Sequence, residues 1–167
     1  MKKRLVMLFA AAAAALLLVS GLWAPSASAA PAPALTQIRI IGVTSDGQNY
    51  QWENIGPNQI SASKPMKGTT GYLAVYFQGY PNNNTIQAFN NGTNITNLTS
   101  KALEDEYTKN GNIVTGYIKY YSVPLSYVSS GTFSFSATGL NGPYTPLSSG
   151  FSPFRYRVKT AARCFHV

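Results

Sequence analysis

Short segments rich in β-branched and aromatic residues, separated by turn residues every eight to twelve positions, make up most of the chain after residue 36. The clearest is residues 132–137, in which Phe133, Phe135 and Ala137 alternate with hydroxyl side chains. A period of two is typical of a strand with one face packed on a core. The pattern predicts an all-β protein, a single immunoglobulin-like β-sandwich of about seven strands.

Local signals place the individual strands. The predicted strands are residues 37–43, 71–77, 85–89, 93–98, 112–123 and 132–137. Asn91-Gly92 lies between two of them and is the strongest short-range signal for a β-hairpin. Only residues 100–109 (SKALEDEYTK) have a helix-forming composition, so at most one short helix is expected.

The first 29 residues have the three parts of a secretory signal peptide. Basic residues at positions 2–4 precede an apolar run from Leu5 to Val19, and Ala27-Ser28-Ala29 supplies small side chains for a signal peptidase. We predict cleavage after Ala29 and a secreted, extracellular protein of bacterial type; an uncleaved membrane anchor is the alternative. The predicted order is a signal peptide (1–29), an extended spacer (30–35), the sandwich domain (36–154) and a basic tail (155–167).

The predicted domain carries a much smaller net charge than the whole chain, because most of the excess basic residues lie in the signal peptide and the tail. The whole chain carries 13 Lys and Arg against 5 Asp and Glu. Three of the basic residues lie in the signal and four in residues 155–167, so residues 30–154 hold six basic and five acidic side chains. Nucleic-acid-binding proteins present a basic face across the fold, which a nearly neutral domain lacks. We expect no nucleic-acid partner, and a membrane partner only if the tail is functional.

Side chains suited to catalysis are scarce. The only histidine, His166, and the only cysteine, Cys164, lie near the end of the chain, and no internal disulfide is possible. A catalytic triad needs an ordered imidazole held between two partners. The sequence therefore predicts a protein that is not an enzyme, with no catalytic residues, cofactor or metal. A secreted hydrolase that uses Glu53 is an alternative.

The acidic run Glu104-Asp105-Glu106 has two interpretations. Clustered carboxylates can bind calcium outside the cell, but the spacing here does not match a calcium loop. We interpret the run as a solvated turn or short helix whose charge is balanced by Lys101 and Lys109.

Residues 91–99 (NGTNITNLT) contain three Asn-x-Thr triplets. Such triplets are glycosylation acceptors in eukaryotic secretion. Because the signal peptide is of bacterial type, we favour a polar hairpin in which Ile95 and Leu98 pack inward.

Aromatic side chains near turns are the strongest indication of a binding surface. The chain has 11 tyrosines, and Trp52 is the only tryptophan after the signal. Exposed aromatic rings provide a large contact area, although small β-domains also use tyrosines in cores and cross-strand pairs. Tyr50 and Trp52 lie two apart and would share a face, whereas Tyr120 and Tyr121 point to opposite faces. The candidate ligand-binding residues are Tyr50, Trp52, Tyr80, Tyr127 and Tyr144.

The function predicted from these features is ligand binding by a secreted, non-enzymatic β-sandwich. The expected ligand is an extracellular glycan or a protein. A membrane-active toxin or antimicrobial protein is a second hypothesis, because the basic tail could attract anionic surfaces. A disordered end is the favoured interpretation of the same tail.

Two stretches carry a family resemblance: residues 41–45 (IGVTS) and residues 129–138 (SSGTFSFSAT). Behind this type of signal peptide they resemble the small secreted YolA-like proteins of bacilli and relatives, whose function is not known. The resemblance covers roughly residues 36–151 and leaves out the basic tail. It implies an extracellular bacterial protein and supplies no catalytic residues.

Overall fold

The computed structural model describes residues 31–127 and 132–151. The chain divides into two compact units at Pro31, and the second unit, beginning at Ala32, holds every strand of the described residues. The predicted signal peptide and the basic tail with Cys164 and His166 lie outside the described residues. In the part of the chain that is described, no helix is long and apolar enough to cross a membrane.

The described residues contain ten strands and four short 3-10 turns. The strands are β1 (Gln37–Ser45), β2 (Glu53–Asn54), β3 (Thr70–Gln78), β4 (Gln87–Asn90), β5 (Thr93–Asn94), β6 (Ser100–Lys101), β7 (Glu106–Asn110), β8 (Ile113–Pro124), β9 (Phe133–Ala137) and β10 (Leu147–Phe151). Seven of these described strands have four residues or more, in agreement with the predicted number.

The larger sheet has the order β2-β1-β3-β8, and β6 and β7 both pair with the free side of β8. All its neighbours are antiparallel, and nine aligned residue pairs join β3 to β8 at the centre. Side chains alternate between the faces of a strand. In β3, Leu73, Val75 and Phe77 are buried in the core, and Tyr72 and Tyr76 therefore lie on the outer face.

The smaller sheet has the antiparallel order β10-β9-β4-β5. Asn91-Gly92 joins β4 to β5 with φ angles of 50° and 80°. Two positive φ angles characterise a type I′ turn, so the predicted hairpin is confirmed. The return strand is shorter than predicted, because Ala88 N–H donates to the Thr96 hydroxyl (2.9 Å) and a 3-10 turn at Thr96–Leu98 follows.

One hydrophobic core lies between the two sheets. Phe77, Phe133 and Phe135 are fully buried, and the last two rings are 5.3 Å apart. The Tyr121 ring lies 4.8 Å from Phe135, so Tyr121 faces inward and its neighbour Tyr120 outward, as predicted. Two antiparallel sheets that each bury one face form a β-sandwich, and the predicted all-β fold class is confirmed.

Residues 100–109, the one segment with a helix-forming composition, are not helical, which agrees with the expectation of at most one short helix. They form β6, a loop and β7, and both strands pair with β8. Gly111-Asn112, with φ of 60° at Gly111, makes the turn of a β7–β8 hairpin whose last paired residues are Asn110 and Ile113. Pairing with a long central strand satisfies the backbone groups of this segment and outweighs the weak helix propensity of ten residues.

The segment predicted to be a spacer (30–35) is bound to the domain over its described part. Leu35 is buried in the core, with 1% of its surface exposed. Tyr80 N–H donates to the carbonyl of Pro33 (3.0 Å), and the Asn141 amide donates to the carbonyl of Ala32 (2.9 Å). The compact fold therefore begins at Ala32, before the first strand.

The Asn-rich hairpin packs as predicted. Ile95 is buried, and Leu98 lies against the core. The Asn94 side chain accepts a hydrogen bond from Thr96 N–H (2.9 Å), as short polar residues commonly do in turns. The asparagines and threonines of this segment therefore shape a turn, while its two apolar residues join the core.

Candidate ligand-binding site

Trp52 lies over the outer face of the larger sheet, against Gly42. Asn49 and Tyr50 have positive φ angles of 52° and 57°, which turn the chain back after β1. β2 then pairs with β1, with Asn54 opposite Gly42. A Cβ placed on Gly42 would lie 3.2 Å from indole Cε3 and 3.4 Å from Ala74 Cβ. Gly42, which is paired with Ala74 of β3, thus leaves room for the indole, and 39% of the Trp52 surface stays exposed.

Tyrosines extend this surface across the sheet. The aromatic face consists of Tyr50, Trp52, Tyr72, Tyr76 and Tyr120. Tyr50 lies 5.5 Å from Tyr72, and Trp52 lies 5.7 Å from Tyr120, between ring centroids. Tilted and edge-to-face pairs at these distances are stabilising. Tyr50 is 59% exposed and the tyrosines on β3 and β8 are half-buried, so rings that hold one another in place also reach solvent.

The hydroxyl groups of Tyr72 and Tyr120 are neutral at physiological pH. Partial burial, reinforced by the Glu106 carboxylate that accepts a hydrogen bond from its hydroxyl (2.7 Å), raises the pKa of Tyr120 to about 12. Burial and the neighbouring Tyr50 also raise the pKa of Tyr72. The aromatic face therefore offers ring surfaces and neutral hydroxyls, with Arg39 beside Tyr76 and Glu106 beside Tyr120 as its charged neighbours.

Asp46 ties the turn after β1 to the start of β3. Its Oδ1 accepts hydrogen bonds from the backbone N–H of Gly47 (2.8 Å), Thr69 (3.0 Å) and Thr70 (3.2 Å), and its Oδ2 accepts one from the Thr69 hydroxyl (2.6 Å). The hydroxyl bond, with the backbone bonds, lowers the pKa of Asp46. Gly68 has a φ of 98°, and a Cβ there would lie 1.9 Å from Asp46 Oδ1, so only glycine fits.

Glu53 holds the loop that borders Trp52. Its Oε1 accepts hydrogen bonds from Gln59 Nε2 (2.9 Å) and Ser63 N–H (2.6 Å), and its Oε2 accepts one from Lys64 N–H (3.4 Å). Partial burial alone would raise the pKa of Glu53, but these hydrogen bonds outweigh it and the pKa is lowered. A general acid needs a raised pKa, so this environment suits a structural carboxylate.

Stability is expected to fall in acid because of these two carboxylates. Both pKa values lie below their ordinary values of 3.8 for Asp46 and 4.5 for Glu53, so the folded state binds fewer protons than the unfolded state. Their contribution is present above the unfolded pKa values and is lost as the pH falls through the folded ones. Urea unfolding between about pH 6 and about pH 3 measures this loss.

The variant Asp46→Asn/Glu53→Gln is the control for that pH dependence. Its side chains keep their shape and cannot ionise, so its stability should fall less between the same pH values. Equal slopes for the variant and the parent protein would show that the two carboxylates do not cause the acid sensitivity.

The predicted binding residues do not form one site. Tyr50 and Trp52 share the aromatic face, as expected. Tyr80 lies 5.0 Å from Tyr117, which contacts Tyr107 on its other side (5.2 Å), and these three tyrosines are separate from the aromatic face. Tyr127 and Tyr144 are 53% and 81% exposed, and among the described residues neither has a ring partner.

Sequence reasoning missed three members of the aromatic face as binding candidates. Tyr72 and Tyr76 belong to the predicted strand 71–77 (GYLAVYF), but neither is among the binding residues predicted from the sequence. The alternation along this strand was the available signal: Tyr72, Ala74 and Tyr76 lie on one face, and Leu73, Val75 and Phe77 lie on the other. Tyr120 was expected only as one of a pair of opposed tyrosines, and its place next to Trp52 depends on the pairing of β3 with β8.

The three acids of residues 104–106 point to different partners. Glu104 accepts a hydrogen bond from Lys101 (2.8 Å), Asp105 pairs with Lys119, and Glu106 accepts one from Tyr120. Lys119, and not the predicted Lys109, is thus the second balancing cation. The residues that the structure describes contain no cluster of three or more His, Cys, Asp or Glu that could hold a metal ion.

Fold and surface together define a β-sandwich protein with an exposed aromatic sheet face. Residues 30–152 match a family described as Domain of unknown function (DUF4879). The match spans more than half of the sequence, so the chain belongs to this family. No match to the chain was found among curated proteins.

Proposed function

We propose that this chain is a secreted, non-enzymatic protein that binds an extracellular glycan through its aromatic face. The observation that carries the proposal is Trp52, packed on Gly42 beside Tyr120 with part of its ring in solvent. Secretion is inferred from the signal-peptide pattern of residues 1–29. The YolA-like resemblance agrees with the proposed extracellular location.

A glycan suits this surface better than a protein does. Sugar rings have apolar C–H faces edged by hydroxyls, and the aromatic face offers flat rings edged by tyrosine hydroxyls. The domain is nearly neutral, so charge pairing with a protein partner has little to act on. The Trp52 indole is already held by the sheet, so binding does not have to immobilise it.

A non-enzymatic role agrees with the carboxylates that are present. Asp46 and Glu53 accept hydrogen bonds from neighbouring loops, and both pKa values are lowered. Most glycoside hydrolases need a pair of carboxyl groups on either side of the scissile bond, one of them with a raised pKa. Lowered pKa values at Asp46 and Glu53 favour binding over hydrolysis.

Retention on insoluble polysaccharides tests the proposal. Protein lacking residues 1–29 is incubated with microcrystalline cellulose, chitin, xylan and bacterial peptidoglycan, and the bound fraction is measured. We expect retention on at least one of these, and we expect Trp52→Ala to weaken it by about tenfold or more, since the loss of a central aromatic anchor typically costs over 1 kcal/mol.

Tyr144→Ala is the matched control, because Tyr144 is more exposed than Trp52 and lies outside the aromatic face. It should be retained like the parent protein. Failure of all four polysaccharides to retain the parent protein would overturn the proposal, as would equal retention of Trp52→Ala.

A further inference from the structure

A second surface lies on the inner side of β8, and Tyr120 is the one residue of the aromatic face that also lines it. β8 has 12 residues and β9 has 5, so the smaller sheet does not cover all of the inner face of β8. Two cavities of about 400 Å³ and 460 Å³ open there, and Asn83, Asp105 and Lys119 line both. We call these two adjoining cavities together the side cleft. Its size is in the range of small-molecule sites.

A half-buried ion pair lies at the centre of the side cleft. Lys119 Nζ donates to Asp105 Oδ2, and the two side chains are only 12% and 20% exposed. An ammonium group has three donors and a carboxylate has about four acceptor positions. Among the described residues, Lys119 has this single hydrogen bond, and Asp105 Oδ1 has only Lys101 Nζ at 3.8 Å. Unused donors and acceptors thus remain on two groups that line both cavities.

The other walls supply an amide and an aromatic ring. The Asn83 side chain has no hydrogen-bond partner within the described residues, and it lines both cavities. Lys119 Nζ lies 5.6 Å from the centre of the Tyr117 ring, and Tyr80 packs edge-on against that ring. A carboxylate, an ammonium group, an amide and an aromatic ring are therefore all among the groups that line the side cleft.

The charged side chains of the side cleft balance one another, which favours an uncharged ligand. Lys119 and Asp105 balance each other, and Lys101 is balanced by Glu104, which is 95% exposed. A balanced pair attracts neither anions nor cations by net charge, but it forms strong charge-assisted hydrogen bonds with hydroxyl groups that can both donate and accept. Neighbouring hydroxyls on a sugar ring fit this pattern, with the apolar face of the ring against Tyr117.

We propose that the side cleft binds one uncharged sugar unit of a soluble glycan. The sugar hydroxyls donate to Asp105 and accept from Lys119 and Asn83. This inference deepens the proposed glycan binding by adding a site for a single ring, whereas the aromatic face offers a surface to a polymer. Tyr80, a residue predicted from the sequence, belongs to this second site.

Titration calorimetry with neutral trisaccharides tests the inference. Cellotriose, xylotriose and chitotriose are titrated into protein lacking residues 1–29, and trigalacturonate is the acidic comparison. At least one neutral trisaccharide should bind, with little dependence on salt because no net charge is paired. Lys119→Met should weaken that binding by about tenfold or more, as loss of a hydrogen bond to a charged group does.

Two further variants test whether a loss of binding is caused by the side cleft itself. Lys109→Met removes an exposed lysine on β7 and should bind like the parent protein. The double variant Lys119→Met/Asp105→Asn removes both charges, so no buried charge is left unpaired, and it too should lose binding. Thermal melting shows that each variant is folded.

The measurements distinguish failure of the side-cleft proposal from failure of the aromatic-face proposal. Trp52→Ala should leave trisaccharide binding unchanged, even if polysaccharide retention fails in every protein. The inference is overturned if no neutral trisaccharide binds, if trigalacturonate binds more tightly, or if Lys119→Met binds as the parent protein does. Loss of trisaccharide binding in Trp52→Ala alone would assign the sugar to the aromatic face and would equally overturn it.

Discussion

Phe77→Ala should lower the free energy of unfolding by about 3–5 kcal/mol, the usual cost of removing a fully buried phenylalanine. Phe77 has no exposed surface and lies on β3, which is paired on both sides by β1 and β8. The strands around it are held by their own hydrogen bonds, so the space left by the ring cannot collapse easily. Urea unfolding of protein lacking residues 1–29 measures the change.

Tyr144→Ala is the comparison for that experiment. Tyr144 is 81% exposed, so its loss should change the free energy of unfolding by less than about 0.5 kcal/mol. A Phe77→Ala protein about as stable as Tyr144→Ala would contradict a core centred between the two sheets.

Gly42→Val should weaken polysaccharide retention as much as removal of the indole does, because Gly42 lies beneath Trp52. A Cβ at this position would already be 3.2 Å from the indole, and the two further methyl groups of valine would displace the ring. Overpacking of this kind typically costs about 1–3 kcal/mol, so the protein should stay folded. The bound fraction and the Trp52 emission maximum are the two measurements.

Gly56→Val is the matched control for Gly42→Val. A Cβ at Gly56 has only Gln59 Oε1 near it, at 4.0 Å, so valine fits there without disturbing Trp52. This variant should keep both retention and emission. If Gly42→Val were retained on polysaccharide with unchanged emission, the glycine under Trp52 would not be what positions it.

Features encoded within a few neighbouring residues could be predicted from the sequence. The alternation of Phe133, Phe135 and Ala137 gave the buried face of β9, and Asn91-Gly92 gave the hairpin. Both depend on local backbone geometry and on the period of a strand. The all-β fold class follows from several such signals in one chain.

Features that depend on a distant partner could not be predicted. Residues 100–109 have a helix-forming composition, but the strands that they contribute pair with β8, and a local propensity carries no information about that distant partner. Glu53 was weighed as a catalytic acid because the loop that donates to it, through Ser63 and Lys64, is not visible as a motif. Its role becomes evident only when the loop is folded against β2.

The candidate site also combines a feature that neighbouring residues predict with contacts that depend on distant strands. Tyr50 and Trp52 were expected to share a face because two residues of an extended segment would. They do share it, but Tyr50 has a positive φ of 57°, so a turn and not an extended strand brings them together. The contacts of Trp52 with Tyr120 and of Tyr50 with Tyr72 required the strand pairing of the larger sheet.

Fluorescence of Trp52 tests the glycan-binding account most directly, because Trp52 is the only tryptophan after residue 29. Cellohexaose, xylohexaose and chitohexaose are titrated into protein lacking residues 1–29, in a Lys119→Met background that silences the side cleft. We predict a saturable shift of the emission to shorter wavelength with at least one of these sugars, as the exposed side of the indole becomes covered. Unchanged emission with all of them, in a folded protein, would contradict the account.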